Sequence, residues 1–169
     1  YRFDESPVKD YYLAMDQDSF QSSLDVEAYP KAGTPNPVVS LFVYDLGSKK
    51  TTEIDTDFGD APLGEYVYEV RWSPDGRELL FNRTNRKQNR MQLCARTVVE
   101  ESQPQSWAEN APQAIWLKDA DRFVWSSERN GFRNFYLYDR SGKLIRPLTE
   151  NRFDGSDPEV REDSGELYY

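Results

Sequence analysis

The sequence predicts an all-β protein, a partial β-propeller of roughly three to four blades in which each blade is an antiparallel four-stranded sheet. Three observations support this fold class. A strand-turn-strand motif recurs about every 44 residues, aromatic residues make up 14% of the chain, and apolar residues rarely recur at helical spacing. The segment from Val8 to Phe20 is the only candidate for a helix, and its pattern is weak.

The repeated motif is clearest from Val70 to Phe81, where an aromatic strand end meets a Ser-Pro-Asp-Gly turn and a second, apolar strand. A degenerate copy runs from Ala114 to Trp125, and a weaker copy from Glu159 to Tyr169. Trp72 and Trp116 are 44 residues apart (116 − 72), which is the length of one propeller blade. A β-sandwich is the alternative fold, but a sandwich does not require copies of the strand-turn-strand motif at a regular spacing.

Aromatic-rich strands alternate with these copies. Leu41–Asp45 and Phe135–Asp139 each run into a Gly/Ser turn, and Met91–Thr97 occupies the equivalent place between them. The segment Glu128–Gly131 ends in Asn-Gly, the strongest short hairpin signal. We interpret it as a solvated hairpin tip rather than as a pair of catalytic charges.

Composition excludes several classes of function. The chain has 169 residues and a net charge of −9, and an acidic surface repels phosphate backbones, so we expect no nucleic-acid partner. No run approaches the ~20 apolar residues that a membrane-spanning helix requires, and the sequence opens on a strand pattern rather than on a signal peptide.

The chain has no histidine and a single cysteine. A Ser-His-Asp or Cys-His site needs an imidazole to accept the proton of the nucleophile, so we expect no catalytic residue of this type here. We also expect no cofactor and no metal, because zinc ligand sets are missing and the acidic turns at Asp55–Asp57 and Asp154–Asp157 lack the spacing of a calcium loop. Core positions are expected for Cys94, Trp72, Trp116 and Trp125.

The segment from Asp10 to Pro37 interrupts the rhythm of the repeats. It is polar, and it places three prolines within the eight residues from Pro30 to Pro37, where they cannot donate hydrogen bonds to a strand ladder. We therefore predict a propeller domain over residues 1–169 with an excursion from a blade at residues 10–37.

Several segments together resemble the N-terminal propeller of the dipeptidyl peptidase IV family of the prolyl oligopeptidase clan, and bacterial dipeptidyl peptidases IV and prolyl tripeptidyl peptidases look most similar. The most specific segment is the run Tyr-Pro-Lys-Ala-Gly-Thr-Pro-Asn-Pro at residues 29–37. The other segments that carry the resemblance are Tyr1–Val8, Trp72–Gly76, Asn85–Asn89, Ser126–Phe132, Phe135–Asp139 and Arg146–Thr149. They follow the order of the family over nearly the whole chain.

The resemblance implies a larger parent protein, in which an eight-bladed propeller precedes an α/β-hydrolase domain with the serine, aspartate and histidine of a serine peptidase. That catalytic domain is absent from this chain. The family's glutamate pair for the free amino terminus of the substrate precedes the position of Tyr1, so we do not assign that role to Asp4 or Glu5. The implied partners are peptides with Pro or Ala near the N-terminus and a second copy of the protein, and the implied location is periplasmic or cell-surface.

Two candidate sites follow from the resemblance. Residues 10–37 match an excursion that helps to build the family's dimer interface, and a projecting segment with aromatic and proline residues offers apolar contact area at low entropic cost. The candidates in this dimer arm are Phe20, Tyr29, Pro30, Lys31, Pro35 and Pro37. The loop from Trp107 to Pro112 corresponds to one that approaches the substrate cleft, with Glu109 and Asn110 as candidates, although a plain connector between blades is the simpler interpretation.

Three functions remain open at this point. The first is a non-catalytic propeller segment of a secreted proline-directed serine exopeptidase, which gates access of the substrate and supports dimerisation. The second is a propeller that only binds other proteins and has no peptidase domain beside it. The third is a propeller glycosidase that works through two carboxylates.

Overall fold

The computed structural model describes residues 1–59, 63–95, 97–109, 112 and 114–169, and all the regular structure within these ranges is β-strand. The strands are β1 Arg2–Asp4, β2 Asp10–Met15, β3 Ser23–Ala28, β4 Val38–Asp45, β5 Lys50–Ile54, β6 Glu65–Trp72, β7 Leu79–Asn85, β8 Arg90–Cys94, β9 Thr97–Ser102, β10 Ala114–Trp116, β11 Arg122–Ser127, β12 Asn134–Asp139, β13 Leu144–Pro147, β14 Glu159–Arg161 and β15 Glu166–Tyr168. The all-β prediction is confirmed for the described residues.

The chain divides into two compact units, residues 1–66 and residues 67–169. In the first unit, β1, β4 and β5 form a three-stranded antiparallel sheet, with Phe3 opposite Val39 and Val43 opposite Thr52. Strands β2 and β3 form a separate antiparallel hairpin. The segment from Val8 to Phe20, which was only a weak candidate for a helix, contains a strand instead, and every residue of β2 pairs with a residue of β3.

The second unit contains two four-stranded sheets in which consecutive strands are neighbours, as in propeller blades. We call the sheet β6-β7-β8-β9 the first blade and the sheet β10-β11-β12-β13 the second blade. A two-stranded sheet of β14 and β15 follows them. The register confirms the hairpin expected around Asn-Gly, since Ser127 lies opposite Asn134 at the start of the turn.

The two blades share one hydrophobic core. Phe123, on β11, stacks on Tyr138 with 5.6 Å between the ring centroids and meets Trp125 edge-on at 6.4 Å. The buried residues of this cluster are Leu80, Met91, Leu93, Val99, Ala108, Phe123, Trp125, Tyr136 and Tyr138. A second cluster of Leu117, Val124, Phe135 and Leu137 packs against Val160 and Leu167 of the last two strands. Opposite faces of the second blade thus contact different neighbours.

Burial tests the expected core positions. Cys94 and Trp125 are buried, as predicted, and Trp116 is half-buried. The prediction for Trp72 is wrong, because this residue is 55% exposed. It is the last residue of β6, an edge strand of the first blade, and it does not belong to either buried hydrophobic cluster.

The Ser-Pro-Asp-Gly turn has the predicted chemistry. The Gly76 amide donates to the Ser73 carbonyl at 2.8 Å, and Gly76 adopts a φ of +69°, which glycine tolerates without strain. The Ser73 hydroxyl donates to Asp75 at 2.6 Å and accepts the Glu78 amide at 3.0 Å. This turn therefore presents the Asp75 and Glu78 carboxylates to the surroundings in a fixed geometry.

Candidate functional site

The hairpin of β2 and β3, together with its turn, forms residues 10–28, which we call the arm. Its register places Tyr12 opposite Val26 and Ala14 opposite Leu24, so these four side chains share one face of the hairpin. Tyr12, Leu24 and Val26 are all exposed. The arm thus carries a contiguous apolar face that no part of the described chain covers.

The opposite face of the arm is more polar and contacts the chain next to it. Tyr11 lies 5.7 Å from the ring of Tyr29, and the Lys31 ammonium sits 4.4 Å from the Tyr11 ring centroid. The Tyr29 amide donates to the Lys9 carbonyl at 3.2 Å. These contacts fix the base of the arm, because they tie both ends of the hairpin to each other.

The six residues predicted for a dimer arm are therefore distributed over three places. Phe20 is fully exposed in the turn between β2 and β3. Tyr29, Pro30 and Lys31 lie directly after β3 at the base. Pro35 and Pro37 are half-buried and flank Asn36, whose amide donates to the Leu63 carbonyl at 3.0 Å.

The apolar arm face was missed by the sequence reasoning. The signal was a period-two alternation of apolar and acidic residues in β3, whereas β2 is apolar or aromatic from Tyr11 to Met15 and shows no alternation. The side chains on this face are Asp10, Tyr12, Ala14, Leu24, Val26 and Ala28.

In the second unit, a pocket of about 230 Å³ lies beside the loop from Trp107 to Pro112, for which a plain connector was the simpler interpretation and a substrate-cleft role the alternative. Its lining includes Trp107, Ala108 and Glu109 from that loop, and Glu128 and Gly131 from the turn between β11 and β12. Asn110, the other candidate in the loop, lies outside the described residues. The pocket is therefore lined both by this loop and by the hairpin tip that the Asn-Gly signal predicted.

The loop is anchored at both the backbone and the side chain. The buried Ala108 donates its amide hydrogen to the Gln88 carbonyl at 2.7 Å. Arg133 donates to Glu109 at 2.7 Å and to Glu128 at 3.3 Å, so one guanidinium ties the loop to the hairpin turn. A loop held in this way keeps a fixed wall of the pocket.

The hairpin tip is an exposed turn, as predicted, and its arginine also contacts the neighbouring blade. Arg129 crosses to the first blade, where its Nη2 donates to Glu101 Oε1 at 2.7 Å, and it also donates to the Tyr138 hydroxyl at 2.8 Å. Its guanidinium lies 4.2 Å from the ring centroid of Tyr136. Trp125 Nε1 donates to the same Glu101 oxygen at 2.9 Å.

Charge stabilises this contact between the blades. Burial alone would lower the pKa of Arg129, but the Glu101 carboxylate and the hydrogen bond to Tyr138 outweigh it and raise that pKa above its ordinary value. The side chain of Glu101 is only 13% exposed. A second arginine, Arg140, joins the blades elsewhere by binding Asp75 at 2.6 Å and Glu78 at 2.7 Å.

Most of the charged side chains described above are engaged in ion pairs. Within the part of the chain that the structure describes, no three His, Cys, Asp or Glu side chains come close enough together to hold a metal ion. The same residues include no helix long and apolar enough to cross a membrane. The Asp55–Asp57 turn binds its own backbone, since Asp55 accepts the Asp57 amide at 3.0 Å.

Comparison with known proteins identifies the family. The model of the dipeptidyl peptidase IV N-terminal region matches residues 1–169. A probable dipeptidyl-aminopeptidase B of Tuber melanosporum is 42% identical over 72 residues, which cover 41% of this chain and 8% of that protein. Venom dipeptidyl peptidase 4 of Apis mellifera is 29% identical over 125 residues, which cover 65% of this chain and 16% of that protein.

The fold agrees with a solved structure of the same kind. The crystal structure of Porphyromonas gingivalis dipeptidyl peptidase 4 superposes with a TM-score of 0.79, at 24% sequence identity, over 99% of this chain and 24% of that chain. The chain therefore spans a quarter or less of the proteins that it matches, and its sheets are blades of the propeller fold. Because the family match covers every residue, this chain belongs to the dipeptidyl peptidase IV N-terminal region family.

Proposed function

We propose that this chain is the non-catalytic propeller segment of a secreted serine exopeptidase that releases dipeptides or tripeptides from peptides with Pro or Ala near the N-terminus. The observation that carries the proposal is the family match over the whole chain. The absence of histidine from the sequence supports a non-catalytic role, because the imidazole of a serine peptidase must then come from another segment. The same relationship supports a periplasmic or cell-surface location.

Within that protein, we assign dimerisation to the arm. Its apolar face is presented by two paired strands, which restrict the side chains and lower the entropic cost of association. Exposed apolar surface of this kind is typical of a protein contact. We propose that the apolar face of the arm binds a second copy of the same protein.

We assign gating to the pocket wall formed by the anchored loop. The Arg133 ion pairs hold Glu109 and Glu128 at one rim of the pocket, so a peptide that passes along this rim meets fixed charges. Fixed charges discriminate among peptides by their own charge and add little affinity to a neutral one.

The activity is tested with the full-length protein and with this chain alone. We expect the full-length protein to release p-nitroaniline from Xaa-Pro dipeptide and tripeptide nitroanilides, and the isolated chain to release none. Turnover by the pure isolated chain would contradict the non-catalytic role. If the full-length protein shows neither activity, the better interpretation is a propeller that only binds proteins.

Dimerisation is tested by placing a charge on the apolar arm face. We expect Leu24→Asp and Val26→Asp to weaken dimerisation of the full-length protein by about tenfold or more, measured by light scattering over a concentration series. Glu27→Lys is the matched control, because Glu27 lies opposite Tyr11 on the other face of the arm. Equal dimer stability in all three variants would contradict a role of this face.

A further inference from the structure

Three positions in the chain place an Asn or Asp directly before a Gly: Asp75–Gly76, Asn130–Gly131 and Asp154–Gly155. At such positions the backbone nitrogen of the glycine can attack the preceding side-chain carbonyl, because glycine has no Cβ to hinder the approach. The product is a five-membered succinimide. Local structure then decides which of the three positions reacts in the folded protein.

Asp75 is protected by its ion pair. Its carboxylate binds Arg140 at 2.6 Å and accepts the Ser73 hydroxyl at 2.6 Å. The hydrogen bonds from Arg140 and then from Ser73 lower the pKa of Asp75 well below its ordinary value. An ionised carboxylate is a poor electrophile, and two partners hold this one in place.

Asp154 is protected by packing. Its Oδ1 accepts the Arg133 amide at 2.7 Å, and the Gly155 amide donates to the Arg133 carbonyl at 2.9 Å. Gly155 is buried, and a Cβ built on it would lie 2.6 Å from the ring of Phe135. The backbone at this position has no room to rearrange into a ring.

Asn130 differs from Asp75 in having an uncharged amide, and from Asp154 in being followed by an exposed glycine. Asn130 and Gly131 are exposed, and no atom lies within 4 Å of a Cβ built on Gly131. Asn130 Oδ1 accepts hydrogen bonds from the Phe132 amide at 3.4 Å and from Asn134 Nδ2 at 3.3 Å. Both donors polarise the carbonyl that the glycine nitrogen would attack.

One contact opposes the reaction. The Gly131 amide donates to the Glu128 carbonyl at 2.8 Å, and this bond must open before the nitrogen can act as a nucleophile. It is a single hydrogen bond at an exposed loop tip, where local opening is among the least costly motions of a folded protein.

We propose that Asn130 is a site of spontaneous deamidation in the folded protein. The Gly131 nitrogen loses its proton to hydroxide and forms a bond to Cγ of Asn130. Nδ2 then takes a proton from water as its bond to Cγ breaks, so ammonia leaves and hydroxide is regenerated. Water then opens the succinimide at either carbonyl and gives aspartate or isoaspartate at position 130. The steps involve no oxidation or reduction.

The modification changes the rim of the pocket. Glu128 and Gly131 line it, so a new carboxylate at position 130 adds negative charge beside Glu128. Isoaspartate also adds one carbon to the main chain between Arg129 and Arg133. These two arginines hold Glu101 and Glu109, so the longer turn loosens the contact between blades and the anchor of the loop.

The test is peptide mapping by mass spectrometry of the full-length protein after incubation at mildly alkaline pH. We expect Asn130 to convert several-fold faster than any other asparagine, with isoaspartate as a product and a rate that rises with pH. Gly131→Ala is expected to slow the conversion several-fold, because a side chain hinders the attacking nitrogen.

The urea-denatured protein is the reference for the effect of structure. We expect the native and denatured rates at Asn130 to agree within several-fold, and Asp75 and Asp154 to isomerise only in the denatured protein. The contrary result is that Asn130 keeps its amide in the native protein and loses it in the denatured protein. That result would show that the hydrogen bond to the Glu128 carbonyl protects the site, and it would overturn the proposal.

Discussion

Arg129 and Glu101 form an ion pair of 2.7 Å that joins the second blade to the first. The same carboxylate oxygen accepts a hydrogen bond from Trp125, the largest side chain that is fully buried in the chain. The ion pair and the aromatic core are therefore parts of one contact. Packing brings Glu101 under the hairpin tip, and the charge of Arg129 compensates for the burial of that carboxylate.

Removing the charge of Glu101 tests this contact. We expect Glu101→Gln to lower the free energy of unfolding by about 2 kcal/mol, because it leaves a partly buried guanidinium without its counter-ion. The measurement is urea denaturation followed by tryptophan fluorescence. Glu100→Gln is the matched control on the same strand, where the more exposed pair with Arg90 contributes up to about 1 kcal/mol. Equal losses for the two variants would contradict the proposed contact.

The strands of the second unit could be predicted because their pattern is local. The turn at Ser73 and the Asn-Gly hairpin require particular residues at adjacent positions, and the sequence shows them directly. The partner of Arg129 could not be predicted, since Glu101 is 28 residues away. The packing of the two blades determines which charged residues pair with each other, and the periodicity of the sequence carries no information about that packing.

In the arm, the location of the excursion could be predicted from the sequence, but the pairing of its strands could not. Its polar composition and its prolines predicted an excursion, and the structure places a hairpin there. The pairing of Tyr12 with Val26 sets which side chains share a face, and a shift by one residue would place a different set of β3 side chains on that face. The apolar arm face thus depends on register, which composition alone does not define.

A close approach of backbones provides the next test. Gly142 has a φ of +86°, and a Cβ at this position would overlap the carbonyl group of Val98 in the first blade. We expect Gly142→Ala to cost about 3 kcal/mol or more, from left-handed strain and from forced separation of the blades. The measurement is the shift in the urea midpoint.

Gly165→Ala is the control for strain alone. Gly165 also has a positive φ, of +72°, but no atom lies within 4 Å of its Cβ position. We expect a cost of about 1 kcal/mol at this position. If the two alanine variants were equally stable, Val98 would not be the cause of the loss at Gly142.

Acid should weaken the second contact between the blades, at Asp75 and Arg140. Because Arg140 and Ser73 depress the pKa of Asp75 below its ordinary value of 3.8, the stabilisation is complete above that value and is lost as the pH falls through the folded-state pKa. We expect the stability difference between the native protein and Asp75→Asn to narrow as the pH falls below about 4. Unfolding would be followed by circular dichroism across this range. A difference that stays constant with pH would show that the charge of Asp75 is not what stabilises the contact.

The ion pairs of Arg133 are expected to affect the local order of the loop more than the global stability of the protein. Arg133 binds Glu109 at 2.7 Å and Glu128 at 3.3 Å, and all three side chains are about one-third exposed, so these pairs add little to the free energy of unfolding. Their effect is on the loop. We expect Arg133→Met to change global stability by less than about 1 kcal/mol, and to speed hydrogen exchange at the Ala108 amide, which is bound to Gln88 in the native structure.

Glu128→Gln keeps the shorter pair to Glu109 and serves as the control, with a smaller change in exchange expected at Ala108. Arg133→Lys separates charge from geometry, because an ammonium retains the charge but cannot reach both carboxylates with the planar fork of a guanidinium. We expect its exchange rate to lie between those of the native protein and Arg133→Met. Unchanged exchange in Arg133→Met would mean that the backbone bond between Ala108 and Gln88 is sufficient to order the loop, and the ion pairs would then have no part in gating.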